Sequence, residues 1–151
     1  MNRIMTNLFG LLWFDTGIEK VFSMIKIDHL ALYVSDLERA KYFWIHYFGA
    51  TAGEMYHNPT TGLKTYFLSF KEGARLELMS RPDAEERGKA ICQQGYIHLA
   101  ISMGSKEEVD CVTEELRRNG YVVVSAPRVT GDGYYESCVL DAENNQIELT
   151  E

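Results

Sequence analysis

Four residues carry the chemistry this chain could do. His29, in "IDHLALYV" (27–34), and His98, in "GYIHLAIS" (95–102), are single imidazoles inside apolar, strand-like runs. Glu77, in "RLELM", and Glu148, in "QIELT", are single carboxylates between apolar neighbours. His29 precedes Glu77 by 48 positions, and His98 precedes Glu148 by 50. A carboxylate buried without a partner is costly and tends to protonate. Two imidazoles and two carboxylates around one divalent cation remove that cost. Such a mixed N/O set suits Zn, Ni, Co, Mn or Fe(II), and octahedral geometry would keep two positions for water or substrate. The alternative is two core histidines and two ion-paired strand glutamates, with Arg75 and Arg81 as their partners.

The elements that must position these residues occur twice. The strand "IKIDHLALYV" runs into "SDLERAKYFWIHYFGA", where Ser35 and Glu38 form an S-x-x-E capping box. Leu37, Ala40, Phe43, Trp44 and Tyr47 recur at helical spacing, and Gly49 closes the helix. Strand-like runs follow at 51–57, 63–70 and 74–81, with turns at "NPTTG" (58–62) and "KEG" (71–73). The strand "YIHLAIS" then leads to "SKEEVDCVTEELRRNG", with Ser105 and Glu108 again S-x-x-E and Asn119-Gly120 at the end. Runs at 121–125, 134–140 and 146–150 follow, with turns at "TGDG" (130–133) and "DAENN" (141–145). The order is βαβββ, twice. The expected fold is α+β: two tandem modules forming a curved mixed sheet around a cleft. Alternation within strands puts His29, Glu77, His98 and Glu148 on faces opposite the helix-directed leucines and isoleucines.

The modules span 24–81 and 95–151, joined by a polar connector at 82–94 with an expected short helix. Residues 1–23 read as an N-terminal extension. Their apolar stretch from Leu8 to Phe14 is too short to span a bilayer and lacks a cleavage pattern, so neither a membrane anchor nor a signal peptide is expected. An appended helix, a dimer contact and an upstream-start artefact all stay open for this segment. The net charge of −7, with no basic run, argues against a nucleic-acid or anionic-membrane partner. Three cysteines, Cys92, Cys111 and Cys138, without C-x-x-C spacing, read as reduced thiols in a cytoplasmic protein with no nucleophilic role.

These segments carry a resemblance. From Met24 to Glu151 the chain resembles the vicinal-oxygen-chelate superfamily, which includes glyoxalase I, the bleomycin-resistance proteins and the extradiol dioxygenases. The similar segments are "IDHLALYVSDLERAKYFWIHYFGA", "ARLELM", "GYIHLAIS" and "LDAENNQIEL". The last stands where the family often reads D-P-x-G-x-x-I-E-L, with Ala142 in place of Pro and Asn145 in place of Gly. The resemblance implies paired βαβββ modules around a metal cleft and a small-molecule substrate. It also implies a homodimer, because the cleft often forms between chains. Two His plus two Glu is the glyoxalase I set, so Glu77 decides the branch, and the implied metal is Ni, Co or Zn. Tyr33 and Arg81 stand where bacterial glyoxalase I enzymes commonly place an Arg and an Asn that help hold glutathione. "PRVTGDGYYES" (127–137) replaces their Lys-Gly-Gly-type loop.

The activity so implied is that of a glyoxalase I-like lyase or isomerase, similar to lactoylglutathione lyase. It would move a proton next to a carbonyl, through an enediolate, on a small carbonyl or hemithioacetal substrate. By resemblance Glu148 is the expected base, with Glu77 second. Arg75, Arg81 or Arg128 could hold a substrate anion, and Tyr33, Tyr134 and Tyr135 could line the pocket. For Tyr134 and Tyr135 the alternative is a half-exposed sheet face. His46 and His57 are expected at the surface. Two other functions stay open: a protein that binds or sequesters a small molecule in the same cleft, and a metal-dependent thiol transferase or dioxygenase.

Overall fold

The computed structural model describes residues 25–85, Gly88 and 94–151. The N-terminal extension, Cys92 and the connector's expected short helix lie outside the described residues. The element order is β1 (His29–Tyr33), α1 (Leu37–Phe48), β2 (Thr51–Ala52), β3 (Tyr56–His57), β4 (Lys64–Ser69), β5 (Arg75–Ser80), β6 (His98–Ser102), α2 (Lys106–Arg118), β7 (Val123–Val129), β8 (Tyr135–Leu140) and β9 (Gln146–Thr150). One sheet runs β1-β5-β4-β2, with β3 also on β4, and the other runs β6-β9-β8-β7. Both are mixed: β1 lies parallel to β5 and β6 parallel to β9, while the remaining pairs are antiparallel. The expected pair of βαβββ modules is therefore present. Among the described residues, β1 and β6 each stand at the end of a sheet.

The apolar positions form the layer between sheets and helices. Leu76 and Leu78 of β5, Ile147 and Leu149 of β9, and Leu68 of β4 are fully buried. Leu37, Ala40, Phe43 and Trp44 form the buried face of α1, and Val109, Val112, Thr113 and Leu116 that of α2. Each buried Leu or Ile contributes about 1.5–3 kcal/mol on leaving water, so these two stripes hold each helix to its sheet. The two modules also meet. Tyr121, just after α2, packs its ring 5.0 Å from Phe43 and 5.5 Å from Tyr47 of α1. Inside module two, Thr113 Oγ1 donates to the Val109 carbonyl at 2.6 Å and lies 2.6 Å from Ser137 Oγ, where both side chains are fully buried.

Local details correct the sequence reading at four points. Asp36, not Ser35, caps α1: its carboxylate accepts from the Arg39 amide at 2.9 Å. A carboxylate at the positive end of a helix outcompetes a hydroxyl one residue further out. Ser35 instead gives its amide and hydroxyl hydrogens to Glu143 Oε1, at 3.1 and 2.7 Å, and so ties module one to the β8–β9 turn. The single strand expected at 51–57 is split into β2 and β3, both paired to β4. β7 begins at Val123 and continues to Val129, through Pro127 and two register shifts, so the expected loop at 127–137 starts as strand. In the 141–145 turn the left-handed residue is Asn144, with φ of 61°, and 144 rather than 145 is also where D-P-x-G-x-x-I-E-L puts its Gly when counted from Asp141. Asn144 therefore occupies the conformation glycine favours, while Asn145 donates its amide and side-chain N–H to Asp141 at 2.8 Å each. The second capping site and the Gly49 terminus are as expected: Ser105 accepts from the Glu108 amide, and Gly49 has φ of 62°.

Candidate metal centre

Register places the ligand-type residues. In the first sheet His29 pairs with Arg75 and Ala31 with Glu77; in the second His98 pairs with Gln146 and Ala100 with Glu148. Each Glu is thus the diagonal neighbour of its His on one sheet face, two residues along the adjacent parallel strand. The outcome is the same in both modules. His29 Nε2 lies 3.6 Å from Glu77 Oε2, and His98 Nε2 lies 3.5 Å from Glu148 Oε2. The carboxylates are largely covered, with side chains 15% and 20% exposed, while the imidazoles reach outward at 39% and 36%. Leu76, Leu78, Ile147 and Leu149 point the other way, into the core.

One chain brings these four residues together as two pairs. Among the described residues no three His, Cys, Asp or Glu side chains gather closely enough to hold a metal ion. Each pair offers one imidazole nitrogen and one carboxylate, half of an N₂O₂ set that fits a borderline divalent cation. A cavity of about 820 Å³ lies elsewhere, between the modules, lined by Leu30, Leu32, Trp44, Leu99, Val122 and Ile147 among others. Of the four ligand-type residues it touches His98 alone.

The surroundings of the two pairs differ. Asp28 Oδ2 is 2.9 Å from His29 Nδ1, and Arg75 donates to the same oxygen at 2.5 Å. Those hydrogen bonds, that from His29 first, hold the Asp28 carboxyl below its ordinary value. Around Glu148 the face is acidic. Glu136 and Cys138 of β8 share it, because Cys138 pairs with Glu148 and Glu136 with Thr150. Burial, then the charge of Glu148, pushes the Glu136 carboxyl up, and burial, then the charges of Glu148 and Glu136, raises the Cys138 thiol. Neither residue stands out from composition. Extending the alternation of 134–140 by one strand would have found both.

The expected substrate residues have varied placements. Arg81 is held bidentately by Asp83, with both contacts at 2.8 Å, and Tyr33 sits beside it, half-exposed. Arg75 is paired to Asp28. Arg128 donates to Ser125 Oγ at 2.5 Å and lies 3.4 Å from Glu136. Tyr134 is exposed, one residue before β8 begins. Tyr135 lies on the helix side, where its hydroxyl donates to Asp110 at 2.7 Å, so it is turned away from Glu148. His46 and His57 are exposed and apart from both pairs, His46 stacking on Tyr42.

Two βαβββ sheets, each turning a His–Glu pair away from its helix, define the vicinal-oxygen-chelate type of fold. The chain belongs to the glyoxalase/bleomycin resistance protein/dioxygenase superfamily, which it matches over residues 26–149. It is 30% identical over 130 residues to the uncharacterized protein YqjT of Bacillus subtilis, covering 82% of this chain and 96% of that one. It is 32% identical over 94 residues to the uncharacterized protein YwkD of the same organism, covering 62% of this chain and 71% of that one. Its fold is similar to that of a glyoxalase family protein from Enterococcus faecalis, with a TM-score of 0.69 and 22% identity over 85% of this chain and 99% of that one. It is also similar to glyoxalase I from Zea mays, in a V278E mutant, with a TM-score of 0.69 and 20% identity over 83% of this chain. The chain spans 44% of that maize protein. No helix among the described residues is long and apolar enough to cross a membrane.

Proposed function

We propose that the protein is a metal-dependent, glyoxalase I-like lyase or isomerase acting on a small carbonyl or hemithioacetal substrate, not necessarily one built on glutathione. The observation that carries this reading is the repeated His–Glu pair, 3.6 Å apart in one module and 3.5 Å in the other, at one register in both sheets. His29, Glu77, His98 and Glu148 would hold a divalent cation, with Ni, Co or Zn as candidates. Such a cation supplies Lewis-acid polarisation of a carbonyl. Glu148 Oε2 takes the proton from the carbon beside that carbonyl, and Glu77 Oε2 is the second candidate for moving it. The nearby Glu136 carboxyl and the Arg128 guanidinium set the charge around Glu148.

The complete four-residue set is proposed to form between two chains, the first module of one and the second module of the other. Within one chain the pairs stay apart. Among the described residues β1 and β6, which carry the histidines, are terminal strands, and exposed Ile25, Ile27, Tyr96 and Ile97 flank them. Unpaired apolar edges of this kind favour association with a second copy. The test is metal analysis of purified protein with assays on a panel of α-ketoaldehyde hemithioacetals. The reading expects near-stoichiometric divalent metal and product formation that is lost in His98→Ala. Protein without metal, whose ligand binding His98→Ala leaves unchanged, would support a small-molecule binding role, for which the cavity between the modules is the supporting observation. Ring cleavage of catechols with Fe(II) would replace the lyase reading with a dioxygenase.

A further inference from the structure

The two His–Glu pairs match in register but not in what stands behind them. Arg75 pairs with His29 across β1 and β5. Its guanidinium donates to Asp28 Oδ2 at 2.5 Å and lies 4.5 Å from the centre of the Phe67 ring. That ring in turn meets the His29 ring edge-on, at 5.3 Å and 88°. Asp28 Oδ2 is 2.9 Å from His29 Nδ1. An ionised carboxylate only accepts hydrogen bonds, so this contact needs the proton on Nδ1. In the neutral ring the lone pair then sits on Nε2, the atom that faces Glu77 at 3.6 Å. Module two has Ile97 and Gln146 at the places of Asp28 and Arg75. Gln146 Oε1 accepts from Cys138 Sγ at 3.6 Å, and the nearest partner of His98 is Glu148 on Nε2.

We propose that Asp28, braced by Arg75, is a positioning residue that fixes the Nδ1–H tautomer of His29 and so presents Nε2 for ligation, and that His98 has no such device among the described residues. The two halves of the centre are then unequal: the first is set before a cation arrives, and the second selects its tautomer on binding. The proposal rests on the metal reading above for its consequence, but not for the Asp28–His29 geometry. A carboxylate on the far nitrogen of a ligating imidazole orients the ring, and its loss typically lowers metal affinity by about 10–100-fold.

The test uses long-range ¹H–¹⁵N spectra of the histidine rings in metal-free protein, at a pH where they are neutral, together with Zn²⁺ affinity by competition with a chromophoric chelator. The four histidines are assigned by single His→Gln variants. The expected result is a dominant Nδ1–H form at His29, which Asp28→Ala shifts toward Nε2–H, with Zn²⁺ affinity falling about 10–100-fold. Asp28 is 60% exposed, so this variant folds as the parent does. A double variant, Ile97→Asp with Gln146→Arg, is expected to move His98 toward Nδ1–H. Asp28→Ala that changes neither the tautomer nor the affinity overturns the proposal, as does a His98 tautomer that ignores the transplanted pair. Wild-type protein that takes up no Zn²⁺ while His29 keeps its Nδ1 proton overturns the metal reading and leaves the Asp28–His29 assignment standing.

Discussion

His29 Nε2 stands 3.6 Å from Glu77 Oε2, one diagonal step apart across the parallel strands β1 and β5. The second module repeats the relationship between His98 and Glu148 at 3.5 Å. Parallel pairing is what makes the repetition possible. Each His lies in the first strand of its module and each Glu in the last, and the two strands run side by side in one direction.

The proposed function gives the two carboxylates unequal work, with Glu148 as base and Glu77 second. At saturating metal, Glu148→Gln is expected to lower turnover by about 10²–10⁴-fold, the range ordinarily lost with a general base. Glu77→Gln is expected to lower it less. Steady-state rates at several metal concentrations check this, since a variant deficient only in metal uptake recovers as metal is added. Equal, metal-reversible losses in both variants would remove Glu148 from the role of base.

Complementation tests whether the proposed centre lies between chains. One variant carries His29→Ala and Glu77→Ala, the other His98→Ala and Glu148→Ala. Each alone is expected to be inactive. In a mixture refolded together, half of the dimers are mixed, and each of these holds one intact centre and one doubly damaged one. About one quarter of the wild-type centres should therefore return, measured as bound metal or activity per chain. A centre formed within each chain would give no recovery.

The Thr113–Ser137 contact is a buried hydrogen bond between α2 and β8. Ser137→Ala is expected to cost about 1–3 kcal/mol, because Thr113 then keeps only its bond to the Val109 carbonyl. The single variants with Thr113→Val, and the double variant, form a cycle by urea unfolding. Strict additivity in that cycle would show that the two hydroxyls do not interact.

Asn144 and its neighbour give opposite expectations. Asn144→Gly relieves a left-handed backbone and is expected to be neutral or stabilising by under about 1 kcal/mol. Asn145→Gly removes the side-chain bond to Asp141 and is expected to destabilise by about 1 kcal/mol. Thermal unfolding of the two variants separates them, and the reverse order would place the strained residue at 145.

Glu38 supplies a sign for the acid limb. Its bonds to Lys41 and Tyr66 hold its carboxyl below the ordinary 4.5. A depressed folded value means that this contribution is present above pH 4.5 and is lost as pH falls through the lower folded value. Glu38→Gln should therefore flatten the stability curve in that window and lower stability at neutral pH only slightly, since the group is exposed. Denaturant midpoints across that range measure it, and an unchanged acid slope would count against the assignment.

Much of the architecture was legible because it rests on short-range patterns. Alternation in "RLELM" and "QIELT" marked the buried leucines and the opposed glutamates, and helical spacing marked Phe43 and Trp44 as core. The errors came where neighbouring residues compete for one role. Ser35 and Asp36 both suit a helix start, and the carboxylate takes it, which frees Ser35 for Glu143. Cys138 reads only as a reduced thiol and Glu136 as an ordinary strand carboxylate, because their closeness to Glu148 depends on β8 lying beside β9.

By itself the sequence determined the duplicated βαβββ plan and the two matched His–Glu pairs, since both follow from residue type and period along the chain. Only the tertiary structure decided that the pairs form separately, that Asp28 and Arg75 stand behind His29 alone, and that Tyr135 turns toward α2. Those outcomes depend on strand register and on the choice among competing partners. Both are settled by packing residues that lie dozens of positions apart, and no local pattern records them.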